Sequence, residues 1–145
     1  MNSSKSSDIL LESLKGEKEY FDRLINERLK KGVPITSDIR NASFYEPKNI
    51  NEELQDPGLA AIMLNPMRET IIRKICDSPN GKILDVCCGP GWFSLECARN
   101  GRDVLGLDIS SKAISVAMQT FENNKNNLTG KAEYINESAE DFPIE

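Results

Sequence analysis

The strongest constraint on this chain's fold is an alternation of hydrophobic periods between Gly81 and Asn136. Lys82-Ile83-Leu84-Asp85-Val86-Cys87 is a short apolar run reached from a glycine and followed by a Gly-Pro-Gly turn, which reads as a strand. Trp92 to Asn100 is helical in pattern, and Asp103 to Asp108 is again strand-like. Ser110 stands where the next helix needs an N-cap, Gly101 where the previous one needs a C-terminal glycine. Ala113, Ile114, Ala117 and Phe121 supply the apolar side of that second helix, and Ala132 to Asn136 make a third strand. Strand-helix-strand-helix-strand is one half of a doubly wound, parallel α/β sheet.

The residues ahead of Gly81 follow a different rule. Ile9, Leu10, Leu14, Phe21, Leu24, Ile25 and Leu29 recur at helical spacing from Ser7 to Lys31, which reads as one amphipathic helix or as two broken near Gly16, with a stop at Gly32 and Pro34. Ile35 to Gly58 reads as an irregular connection with a helical turn around Glu52-Glu53-Leu54. Leu59 to Leu64 predicts a short buried helix. Asn65-Pro66 predicts the start of another, carrying Met67, Ile71, Ile72, Ile75 and Cys76 on one side and ending in Asp77-Ser78-Pro79-Asn80-Gly81. The chain therefore divides into a helical N-terminal extension, 1–80, and an α/β region, 81–145.

Composition narrows the chemistry. With 145 residues and no histidine, every catalytic device or metal site built on imidazole is excluded, and a general base would have to be a carboxylate, Lys, Tyr or Cys. The formal charge is −5, and from Gly81 onward six basic residues face ten acidic ones. That balance suits a cationic ligand better than a polyanion, so no nucleic-acid partner is expected. The N-terminus lacks the apolar core of a signal peptide and the longest apolar run, Leu59 to Leu64, is too short to span a bilayer. A cytoplasmic protein without a membrane partner is expected. Cys76, Cys87, Cys88 and Cys97 form no CxxC pair and read as small packing thiols.

The candidate site lies at the carboxyl ends of the three strands, where open α/β sheets bind ligands. Gly89-Pro90-Gly91 lets backbone approach a ligand, and Asp85 in the strand before it favours an ammonium or sulfonium over a pyrophosphate. Asp108 follows 23 positions after Asp85, at the end of the second strand. One carboxylate there can accept from both hydroxyls of a ribose, and Ile109 beside it can cover a purine. Asn136-Glu137-Ser138-Ala139-Glu140-Asp141-Phe142-Pro143 adds an acidic loop at the third tip. Trp92 and Phe93 are expected to pack on the leader helices, and Tyr20, Phe21 and Tyr45 to pack in the core or the leader rather than line a substrate cavity.

In order and spacing, LDVCCGPG, GLDIS and NESAEDFP resemble the successive motifs of class I S-adenosylmethionine-dependent methyltransferases. The resemblance covers Lys82 to Glu145, and the leader resembles the N-terminal helices that such enzymes fold over the active site as a lid. It implies a Rossmann-like fold and S-adenosylmethionine as cofactor. The implied cofactor-binding residues are Asp85, Cys87, Gly89, Gly91, Asp108, Ile109, Ser138 and Ala139. Asp85 is placed near the methionine amino group or its bound water, Gly89 and Gly91 at the close backbone approach, and Asp108 at the ribose. Ile109 then flanks adenine, while Ser138 and Ala139 meet its edge. Two positions depart from the pattern: Cys87 stands at the first glycine, and Ser138 where an acid is usual.

The chemistry implied is methyl transfer to a small-molecule acceptor, which needs in-line positioning and exclusion of water rather than a metal. No residue is nominated as a base. The family's sheet is larger than three strands, so the sheet here is read as incomplete, and its first strand keeps an unpaired edge. The chain is expected to be a truncated donor-binding portion, or to have that edge covered by self-association or a partner subunit. Three other readings stay open at this point. One is a non-catalytic S-adenosylmethionine-binding module. Another is a fragment of an NAD-dependent oxidoreductase, in which Ser94 replaces the third glycine of GxGxxG. The last is a helical interaction protein.

Overall fold

The computed structural model describes residues 3–32 and 57–143, with side chains for 11–32 and 67–143. Its centre is a parallel sheet of β1 (Ile83–Val86), β2 (Val104–Asp108) and β3 (Ala132–Asn136), in the order β1-β2-β3. Ile83 stands beside Val104 and Val104 beside Ala132, so one row of small and branched side chains crosses the sheet. Parallel neighbours need a crossover. These are provided by α3 (Trp92–Arg99), then by α4 (Ser111–Asn124) with a short 3-10 turn at Lys125–Asn127. The half of a doubly wound sheet expected from the period changes, and the incomplete Rossmann-like fold that the resemblance implies, are what the described residues adopt.

The core forms where that row meets the helices. Cys97, Val104 and Ala132 are buried together, with Ile72, Ile75, Ile83, Phe93, Phe121 and Tyr134 packed around them. Ser110 caps α4 by accepting from Ala113 N–H at 3.1 Å, and Gly101 ends α3 at φ 78°. Trp92 lies edge-on to Phe93, under the guanidinium of Arg68, and neither ring reaches the cleft described below.

Both leader helices run further than their sequence punctuation predicts. α1 (Ser3–Lys30) is one helix of 28 residues that passes through Gly16, because a single glycine costs about 1 kcal/mol and the turns on either side hold it in register. α2 (Pro57–Cys76) passes through Asn65-Pro66. An internal proline removes only one rung of the backbone ladder, and Ile72 and Ile75 further along pack onto the core. The expected N-cap at Asn65 is therefore mid-helix, and Pro57 takes the first-turn position instead. The connection 33–56, with the turn expected at Glu52 to Leu54 and with Tyr45, lies outside the described residues.

Arg102 fastens α2 to the sheet. It is 7% exposed. Its guanidinium donates to the carbonyls of Ile75 (2.6 Å), Ser78 (3.2 Å), Pro79 (3.1 Å) and Gly81 (3.4 Å). Those bonds satisfy the end of α2 and the turn that feeds β1. No helix among the described residues is long and apolar enough to cross a membrane.

Candidate functional site

The turn after β1 carries the site's backbone geometry. Three of the five residues from Cys87 to Gly91 have positive φ: Cys87 at 57°, Gly89 at 54° and Gly91 at 82°. Cys87 is the one non-glycine residue with positive φ among those described, in a region that costs an L-residue about 1–2 kcal/mol. The folded-over turn sets Gly89 N–H on Asp108 Oδ2 at 2.8 Å, and Ser110 N–H meets Asp108 Oδ1 at 2.8 Å. Asp108 is thus oriented by one N–H on each oxygen while each oxygen retains a further lone pair. Asn136 then ties in the third strand tip, its Nδ2 donating to the carbonyls of Asp108 and Ile109, both at 2.9 Å.

Above these tips is a cleft of about 450 Å³, within the size range of small-ligand sites. Six of the eight residues predicted from the sequence line it together: Cys87, Gly89, Asp108, Ile109, Ser138 and Ala139. Asp85 and Gly91 do not. A Cβ on Gly91 would lie 2.8 Å from Ala117 Cβ and 2.9 Å from the Tyr134 hydroxyl, so its missing side chain makes room for α4 and β3. A Cβ on Gly89 would meet nothing within 4 Å. The open backbone approach expected of both glycines is found at Gly89 alone.

Asp85 turns beneath the glycine turn instead. Its Oδ2 accepts from the Oγ of fully buried Ser94 at 2.6 Å. Burial pushes its carboxyl above the ordinary range and the charge of Asp108 adds to this, against the hydrogen bonds from Ser94. Burial also pushes the Cys88 thiol up to about 12, helped by the charges of Asp85 and Asp108, so it is a neutral packing group at neutral pH.

The opposite wall comes from the leader, where the resemblance implied a lid, and it includes Phe21, which was expected to pack away from the cavity. Leu14, Glu17, Phe21, Leu24, Ile25 and Arg28 of α1 line the same cleft. Their three- and four-residue spacing marked an amphipathic face, but no local signal said what that face covers. Across the whole lining, Glu17, Asp108, Glu137 and Glu140 oppose the single cation Arg28, a negative balance. Among the described residues no cluster of three or more His, Cys, Asp or Glu side chains could hold a metal ion.

Residues 83–145 match the family model described as "Methyltransferase domain". This segment is similar to S-adenosylmethionine-dependent methyltransferases. The chain is 38% identical over 72 residues to the "Probable cobalt-precorrin-6B C(15)-methyltransferase (decarboxylating)" of Methanobrevibacter smithii, covering 50% of this chain and 37% of that protein. It is 35% identical over 80 residues to a ubiquinone biosynthesis O-methyltransferase of Aromatoleum aromaticum, covering 54% and 32%. Shorter matches extend to proteins named for ribosomal RNA methylation. The chain thus spans about a third of the length of the first two relatives.

The fold of the magnesium protoporphyrin IX methyltransferase of Synechocystis, solved with bound S-adenosylhomocysteine, superposes with a TM-score of 0.65 at 16% identity. It covers 90% of this chain and 53% of that one, so the shared fold includes helices ahead of β1. S-adenosylmethionine is the cofactor of this methyltransferase family. The residues present fit it: open backbone at Gly89, a pre-oriented carboxylate at Asp108, apolar wall at Ile109 and Phe21, and a negative lining for a sulfonium.

Proposed function

We propose that the chain is the donor-binding portion of a methyltransferase that acts on a small-molecule acceptor. The observation that carries this reading is the gathering of Gly89, Asp108, Ile109, Ser138 and Ala139 around one acidic cleft. The proposed roles are local. Asp108, held by the N–H groups of Gly89 and Ser110, accepts the ribose hydroxyls; Ile109 and Phe21 cover the purine; Ser138 and Ala139 meet its edge. Cys87 and Gly89 form the floor beneath the amino-acid tail. Asp85, below the turn, adds negative charge where an ammonium and a sulfonium are to be held. The cofactor when bound supplies an electrophilic methyl group. The residues of the chain orient it and exclude water.

One relative is named for a carbon acceptor and another for an oxygen acceptor, and each matches only about half of this chain. That supports a donor-side role for the segment, with the acceptor chosen elsewhere. The net charge of −5 favours a small molecule over RNA. Four unpaired cysteines suit a cytoplasmic setting, and the edge of β1, unpaired among the described residues, suits cover by a second copy or a partner subunit.

Calorimetric titration with S-adenosylmethionine tests the reading. Saturable binding is expected, and Asp108→Ala is expected to weaken it by about 1–3 kcal/mol through lost charge-assisted hydrogen bonds. No binding to the folded chain, or tighter binding of NADH, defeats it. Methylation of RNA by a longer form of the protein would defeat the small-molecule part alone.

A further inference from the structure

Helix α1 meets the α/β unit through a polar contact that the donor-binding reading does not use. Asp22 Oδ1 accepts from Ser110 Oγ at 2.6 Å and from Lys112 N–H at 3.1 Å, while Oδ2 accepts from Ser111 Oγ at 3.2 Å. These donors form the first turn of α4, where free N–H groups and the helix dipole favour a carboxylate. Ser110 is the hub of the contact. Buried at 1% exposure, it donates through Oγ to Asp22, accepts on the same oxygen from Ala113 N–H, and donates its own N–H to Asp108 Oδ1 at 2.8 Å.

The apolar part of the docking is thin by comparison. Ile25 is buried at 8% exposure, but Phe21 and Leu24, which line the cleft within two residues of Asp22 along the helix, remain 46% and 40% exposed. A ligand in the cleft would cover both side chains. Its binding and the docking of α1 are then linked through one serine and one shared wall.

We propose that Asp22 is a positioning residue of the nucleoside site, latching α1 over the cleft through the same Ser110 that orients Asp108. The inference rests on the donor-binding reading. A nucleoside that engages Asp108 stabilises the latched state, and the latched state in turn strengthens the nucleoside's hold by the same factor.

The test uses the 145-residue chain, S-adenosylhomocysteine and its 2′-deoxyribose analogue. Amide hydrogen exchange over residues 17–28 is followed with and without ligand, and affinities are measured by calorimetry for wild type, Asp22→Ala and Asp22→Asn. S-adenosylhomocysteine is expected to slow exchange in that stretch of the wild type. Asp22→Ala should lose the ligand-dependent protection and bind about tenfold more weakly. Asp22→Asn, which keeps one acceptor oxygen, should recover part of both. The Asp22→Ala penalty should shrink for the deoxy analogue, a dependence on the ribose that a helix anchor of merely structural importance would not show. Wild-type binding with residues 17–28 unprotected, or equal affinity in Asp22→Ala, overturns the latch and leaves the donor site standing. Absence of binding by the folded wild type overturns both.

Discussion

The two ends of the sheet are built to different standards. At the amino ends of the strands, Arg102 satisfies four carbonyls from Ile75 to Gly81, and the backbone of Arg102 fills the space beside Gly130 so closely that an added Cβ would sit 2.3 Å from its carbonyl oxygen. At the carboxyl ends, the same strands lead to Cys87 in a left-handed conformation, to a half-buried Asp85 with a raised pKa, and to an open cleft. One end is closed by hydrogen bonds and packing. The other holds strain and charge where a cationic ligand would offset them, a division common in proteins that keep stability and binding on separate surfaces.

The largest expected effect breaks the closed end. Arg102→Met keeps much of the side-chain volume but removes the charged donor shared by four carbonyls, and is expected to lower stability by about 3 kcal/mol in urea unfolding. Affinity of the remaining folded protein for S-adenosylhomocysteine should stay within about twofold of wild type, because the clamp lies at the far end of the strands. A matching loss of affinity would mean that the two ends are not independent.

Smaller effects of opposite sign are expected at the open end. Cys87→Gly removes the left-handed penalty at the cost of a more flexible unfolded chain, for a net gain of about 1 kcal/mol read as a higher melting temperature. A lower melting temperature would show that the thiol's contacts outweigh its backbone strain.

The smallest change sharpens the contrast through pH. Asp85 has a raised pKa, chiefly from burial, so its contribution to stability is present below the ordinary aspartate value of about 4 and is lost as pH rises through its folded pKa. Asp22 behaves in the reverse way. Burial raises its pKa, but hydrogen bonds from Ser110, Lys112 and Ser111, with the charge of Lys18, bring it below the ordinary value, and its contribution is lost as pH falls. The chain has no histidine, so no side chain with an unperturbed pKa between 5 and 8 obscures the Asp85 limb. Asp85→Asn is expected to flatten the decline above pH 4 and to stabilise the ligand-free protein at pH 7 by about 0.5–1 kcal/mol while weakening S-adenosylmethionine binding. An unchanged pH profile would remove Asp85 as the cause.

Much of the α/β unit was legible because its signals are local. Ser110 caps α4, Gly101 ends α3, and β3 runs from Ala132 to Asn136, as the alternation of periods and the turn residues require. Of the two readings open at Gly16 the single helix is the one found, and the helix start expected at Asn65-Pro66 was misleading for a physical reason: a breaker's cost is fixed, about 1 kcal/mol for glycine and about 3 kcal/mol for proline, while a long helix accumulates hydrogen bonds and packing on both sides of it. Six predicted site residues come together because strand tips in a parallel sheet share one edge, a consequence of topology that strand order alone supplies.

Gly91 and Asp85 show what sequence could not separate. Two glycines two residues apart look alike in a motif, yet only the packed structure sets one against Ala117 and Tyr134 and leaves the other facing open space. The sequence by itself determined the strand-helix order, the caps, the acidic balance and the rim on which a ligand would bind, since these depend on neighbours within a few residues. Tertiary structure alone decided that Asp85 turns toward Ser94, which residues of α1 wall the cleft, and that Asp22 reaches Ser110 from 88 positions away. Those contacts depend on which surfaces meet when the chain closes on itself, and no short-range pattern encodes such a meeting.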